Sequence, residues 1–176
     1  MFKKIGFRLI TVVAFTSLVI IGVFAYFNVK SQSSSLISEV ERHANQLGET
    51  VISSTRFDMM LNQRDRIQQT INSIGTQPQI RDVRIINKFG EIIYSSDSTN
   101  INKMVDKREE SCYACHAEDK PLEQISITER TRIFRVHPDS NRVIGIITPI
   151  YNEKSCWNSD CHAHPKDQKV LGVLDV

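Results

Sequence analysis

The stretch DVRIINKFGEIIYSS, Asp82 to Ser96, is where the chain changes its period. Two runs of β-branched and aromatic residues flank Asn87–Gly90, and Gly90 can take the positive φ that a tight turn needs. The stretch therefore predicts a β-hairpin. Two later stretches share its strand character. RTRIFRVHPDSNRVIGIITPIYN, Arg130 to Asn152, predicts a second hairpin turning at HPDSN, and VLGVLDV, Val170 to Val176, predicts a further strand. Helical patterns precede all of these, so the fold class is α+β with an antiparallel sheet.

Upstream of the hairpin the periodicity is helical. Ile67, Ile71 and Ile74 predict a short helix over Gln63 to Ile74, stopped by Gly75 and Pro78. Before it, Leu36, Val40, Ala44, Leu47 and Val51 form an apolar stripe at steps of four, four, three and four, the face of a long amphipathic helix. That stripe is either core or the seam of a homodimer, and His43 beside it reads as a surface histidine. Earlier still, Leu9 to Phe27 is nineteen residues without a charge, which as a helix covers the roughly 30 Å of a bilayer core.

The charges around this segment orient it. Lys3, Lys4 and Arg8 all precede it, so residues 1–8 are expected in the cytoplasm, 9–27 in the inner membrane, and 30–176 in the periplasm, with KSQSSS (30–35) as the exit. A cleaved signal peptide would want a shorter apolar core and a small-x-small cleavage site, whereas Phe24, Tyr26 and Phe27 crowd Ala25. The 176 residues leave room for one domain beyond the anchor, and a net charge of +2 without a basic block excludes a nucleic-acid surface. A strand running to Val176 without a polar tail predicts a chain that continues further.

The sheet is interrupted at about 97–129 and 153–168, and each interruption carries a cysteine pair. The first is CYACH, Cys112 and Cys115 followed by His116. The second is CWNSDCH, Cys156 and Cys161 followed by His162. A c-type haem needs this pattern: two thioether bonds hold its vinyl groups, and the histidine after the second cysteine falls under the iron. The gap between cysteines can stretch, but the Cys-His adjacency must stay, and both motifs keep it. Short disulfides (Cys112–Cys115, Cys156–Cys161), a four-cysteine zinc site and a single thioredoxin-like centre compete, but each leaves one or both histidines without a reason.

Two haem c groups would need further ligands. His164 lies too close to His162 to reach the far face of the same haem, and is a candidate distal ligand for the haem at Cys112 and Cys115. His137 in the HPDSN turn and Met104 upstream of the first motif are further distal candidates, and an open sixth position would instead give a gas-binding haem. Arg130, Arg132 and Arg135 could pair with haem propionates or form a solvated strand face, and Trp157 could pack on a porphyrin. There is no Ser-His-Asp set, phosphate loop or paired carboxylate, so no catalytic activity is expected of this stretch of chain.

An anchor, a long extracytoplasmic helix and VRIINKFGEIIYSSD ahead of a sheet resemble the periplasmic PAS-like or Cache sensor modules of bacterial histidine kinases and chemoreceptors. With SCYACHAEDKPL and GIITPIYNEKSCWNSDCHAHPKDQKVLGVLDV the resemblance narrows to a haem-c-containing subset of these sensors, and it covers nearly the whole chain. It implies a sensor of redox state or a small diatomic ligand, a homodimer along the long helix, and a second membrane helix leading to a kinase or methyl-accepting output. The alternative is a membrane-anchored dihaem cytochrome c passing electrons in a respiratory chain. Some eighty residues of helix and hairpin before the first motif suit a receptor better than a wire.

Overall fold

The computed structural model describes residues 2–106, 116, 126–136, 141–158 and 164–176. The chain divides into two compact units, one ending at Val40 and one running from Glu41 to Val176. A single helix, α1 (Phe2–Met60), contributes to both.

In the first unit every side chain from Gly6 to Leu36 is exposed, and the most apolar 18-residue window has a mean hydropathy of 2.4. By length and composition this part of α1 is sufficient to cross a membrane. Two of its hydroxyls are satisfied within the helix, as suits hydrocarbon: the Thr11 hydroxyl donates to the Phe7 carbonyl and that of Thr16 to Val13. Leu36 and Val40 are exposed, at 65% and 47%.

The second unit continues α1 from Glu41 and adds α2 (Arg64–Gly75), β1 (Arg84–Asn87), β2 (Ile92–Ser95), α3 (Ile127–Arg130), β3 (Thr131–Val136), β4 (Asn141–Tyr151), α4 (Lys154–Trp157) and β5 (Val170–Asp175). The predicted hairpins are present, with β1 antiparallel to β2 and β3 antiparallel to β4. The last strand, β5, inserts between β1 and β4 and is antiparallel to both, giving the order β2-β1-β5-β4-β3. The first hairpin turns as its residues require. Gly90 has φ +92°, and the Asn87 side chain accepts hydrogen bonds from the backbone N–H groups of Phe89 and Glu91.

One sheet face packs on α1 and α2 through Val51, Ile52, Ile67, Ile71, Val83, Ile85 and Leu174. The stripe read from the sequence thus has two fates: Val51 is core and Leu47 packs against it, whereas Leu36 and Val40 are not buried. The neighbouring register positions hold a buried ionic cluster. Asp175, 3% exposed, accepts from Arg84 Nη2 at 2.5 Å and from Arg132 Nη2 at 2.6 and 2.8 Å. Arg132 crosses β4 to get there because residue 145 is glycine, where a Cβ would stand 2.8 Å from the guanidinium carbon. The cluster ties β1 and β3 to the central strand.

Asp175→Ala would remove the shared carboxylate of two arginines and leave Arg84 with Asp82 at 3.6 Å. It should lower the unfolding free energy by about 3 kcal/mol in urea titrations, while a loss below about 1 kcal/mol would mean that the cluster is a surface ion pair in its energetics.

Candidate cofactor pocket

The pocket begins where α1 stops. Asn62, at φ +53°, takes the left-handed conformation; its N–H donates to the Met59 carbonyl and the Gln63 N–H to that of Asp58, a Schellman termination. Asparagine tolerates this conformation better than other side-chain-bearing residues. The turn sends the chain directly into α2, so the last turn of α1 and the first residue of α2, Arg64, flank the same space.

The sheet supplies the opposite wall. The pairing registers shift between Ile85 and Ile86 on β1 and between Ile150 and Tyr151 on β4, and all four residues line the space. Such irregularities bend a strand locally and re-aim its side chains. Tyr94 on β2 lines it as well.

The third wall is the loop carrying the second cysteine motif, whose neck is tied by one residue. Asn152 donates from Nδ2 to the carbonyls of Pro165 (2.9 Å) and Gln168 (2.7 Å), and its backbone N–H donates to Lys169. Within the loop the His164 N–H donates to the Cys156 carbonyl at 3.1 Å, which holds the motif's first cysteine beside its last histidine. Cys156, on the short helix α4, carries a free thiol. The Arg56 guanidinium on α1 pairs with Glu153 at the start of α4, joining helix to loop.

Together these elements enclose a cavity of about 460 Å³ with a mainly apolar lining of isoleucines from α1, α2 and the sheet. Met59, Met60, Cys156 and His164 contribute sulfur and imidazole groups, and Arg56 and Arg64 are its only cationic lining residues among those described. Lipophilic walls, a few soft donors and two guanidinium groups suit an apolar molecule that carries carboxylates, and the volume lies in the range of ligand pockets. A c-type haem attached at Cys156 has that chemistry.

The sequence-derived candidates fall into three groups. Cys156 and His164 are brought together at this cavity. Cys112, Cys115, Cys161, His162 and His137 lie outside the described residues, and His116 is partly buried. Met104 lies at the tip of the first hairpin, bridged to Glu91, 66% exposed and not part of the cavity lining. Two of the three arginines read as possible propionate partners or as a strand face are engaged at the sheet. Arg130 reaches the Ile147 carbonyl and Asn45, Arg132 reaches Asp175, and Arg135 is exposed. Arg56, Arg64, Met59 and Met60, which the sequence did not single out, occupy the cavity instead, and the one local signal for them was the asparagine that ends α1.

Comparison with known protein families finds no match to this chain, and no curated protein matches it.

Burial holds the Tyr94 phenol above its ordinary pKa, and the Arg64 charge pulls the other way. The sign follows: the stability that this shift contributes is fully present below about pH 10 and is lost as pH rises through the higher folded-state value. In ¹³C-tyrosine NMR the Tyr94 ring carbon should titrate above the ordinary phenol value, and higher still in Arg64→Gln. Titration at or below the ordinary value would contradict the burial of this ring.

Proposed function

We propose that the chain is the membrane-anchored input region of a signalling receptor, carrying two covalently attached haem c groups on a periplasmic α+β domain. The observation that carries this reading is the convergence of Cys156, from the Cys-x₄-Cys-His segment, and His164, two residues beyond that segment, on an apolar cavity with two arginines in its lining. A disulfide or zinc knuckle has no use for such a cavity. The attachment residues are Cys112, Cys115, Cys156 and Cys161, with His116 and His162 as the histidines under the irons. The basic residues before the apolar segment support a periplasmic placement.

A haem in this position supplies one-electron redox chemistry and, where its sixth position is open, binding of a diatomic ligand. The residues of the chain give either event a route to the membrane. Ile52, Arg56, Met59 and Met60 form one wall of the cavity and belong to α1, the same helix that contains the membrane-length apolar segment. A change of charge inside the cavity acts on Arg56, whose pairing with Glu153 links α1 to the loop bearing Cys156. Signalling then requires that the two states of the pocket favour different placements of these last α1 turns. An electron carrier has no need of a cavity wall built from its anchor helix, which favours the receptor.

Produced with a cytochrome c maturation system, the full chain should carry two haems by the pyridine haemochrome assay. Cys156→Ala with Cys161→Ala should carry one, and Cys112→Ala with Cys115→Ala should carry one. Two haems retained in either double variant, or none in the wild type, would refute the reading.

A further inference from the structure

The cavity has a direction. Tyr151 ends β4, and two residues later the chain enters α4 with Cys156, so the attachment side of the cavity lies at β4. Tyr94 lies on β2, and β1 and β5 separate β2 from β4 in the sheet. Three strand spacings of about 4.8 Å put the two sides about 14 Å apart, on the order of the width of a porphyrin. At the β2 side α2 packs on the sheet, and its first residue is Arg64.

Haem chemistry has a direction as well. The vinyl groups that become thioethers lie toward one edge of the macrocycle, and the two propionates lie at the other. A group tethered at Cys156 and seated in this cavity therefore carries its carboxylates toward β2 and α2. Of the two cationic lining residues, Arg56 is already paired with Glu153. Arg64 makes one side-chain hydrogen bond among the described residues, from Nε to Asn62 at 3.3 Å, which leaves both of its Nη groups to donate. The Tyr94 hydroxyl makes no hydrogen bond among the described residues, and Tyr94 and Arg64 line the same cavity. A phenol with an ordinary pKa of about 10 is protonated, and so a donor, at physiological pH, and burial shifts it further the same way.

We infer that Arg64 and Tyr94 form the carboxylate-binding end of the cavity and hold the propionate edge of the haem attached at Cys156. This rests on the reading of the second motif as a haem site. It also moves the role from Arg130 and Arg132, near a motif in sequence, to residues far from either motif. A guanidinium fork and a phenol together suit a carboxylate, which accepts several donors at once. They act as positioning residues, setting which way the group faces and how its potential depends on the charge state of its propionates.

The test uses the full chain, matured and solubilised in detergent, comparing wild type with Arg64→Gln, Tyr94→Phe and the control Arg66→Gln. Arg66 is on the same helix, pairs with Asp58 and does not line the cavity. Haems per chain are counted, and both midpoint potentials are followed with pH. The expected result is two haems throughout. One potential falls in Arg64→Gln and becomes more pH-dependent in both Arg64→Gln and Tyr94→Phe, because a carboxylate that loses donors protonates more readily. The other potential, and both in Arg66→Gln, stay unchanged. Two haems with potentials and pH profiles unmoved by Arg64→Gln and Tyr94→Phe would overturn this inference alone. A wild type lacking haem at Cys156 and Cys161 would overturn the haem reading and this inference with it.

Discussion

The helix α1 can lie on the sheet because residue 48 has no side chain. A Cβ there would come within 2.4 Å of the Thr148 hydroxyl and 3.8 Å of a Leu174 methyl, so the contact is between helix backbone and the side chains of β4 and β5. This close approach buries Val51, Ile52 and Thr55 a turn or two later; the Thr55 hydroxyl turns back to the Val51 carbonyl, which satisfies a polar group at a fully buried site. From that point Arg56, Met59 and Met60 reach the side of the unit where the registers of β1 and β4 shift, and they line a cavity there. The cavity thus follows from how α1 is seated, and a bulkier residue at 48 would lift its walls apart.

The arginines divide between two tasks according to where the strands carry them. Arg84 and Arg132 converge on Asp175 and draw β1, β5 and β3 together, while Arg130 ties the β4 edge to Asn45 on α1. At Arg84 and Arg132 the charge is tolerated in a partly buried position because Asp175 pairs with it, whereas Arg130 has neutral partners. Arg56, paired with Glu153, and Arg64 are the cations that line the cavity among the described residues. The result is a sheet locked by ion pairs next to a pocket whose helix and loop are joined by the more exposed Arg56–Glu153 pair, worth only about 0–1 kcal/mol. A unit built in that way can keep its sheet fixed while the pocket wall shifts.

Local chemistry was legible in the sequence, and long-range placement was not. The first hairpin could be read because Asn87 and Gly90 encode their own turn, and α2 because three isoleucines and a glycine stop mark it. The two Cys-His adjacencies are local patterns as well, visible in the sequence whatever group they hold. The insertion of β5 between β1 and β4 depends on pairing across more than eighty residues of chain, which no local pattern specifies. The cavity was hidden for the same reason: its lining comes from α1, α2, both hairpins and the second motif loop. For Arg130 and Arg132 the sequence left propionate pairing and a solvated strand face both open, and the strand register gives them the partners Ile147, Asn45 and Asp175.

The measurement that tests the account most directly is X-ray diffraction at the iron absorption edge from crystals of the matured protein. The account predicts an anomalous iron peak inside the cavity bounded by Met59, Ile85, Tyr94 and Cys156, with continuous density to the Cys156 sulfur. A cavity without iron, or a zinc or disulfide signal at Cys156, would contradict it.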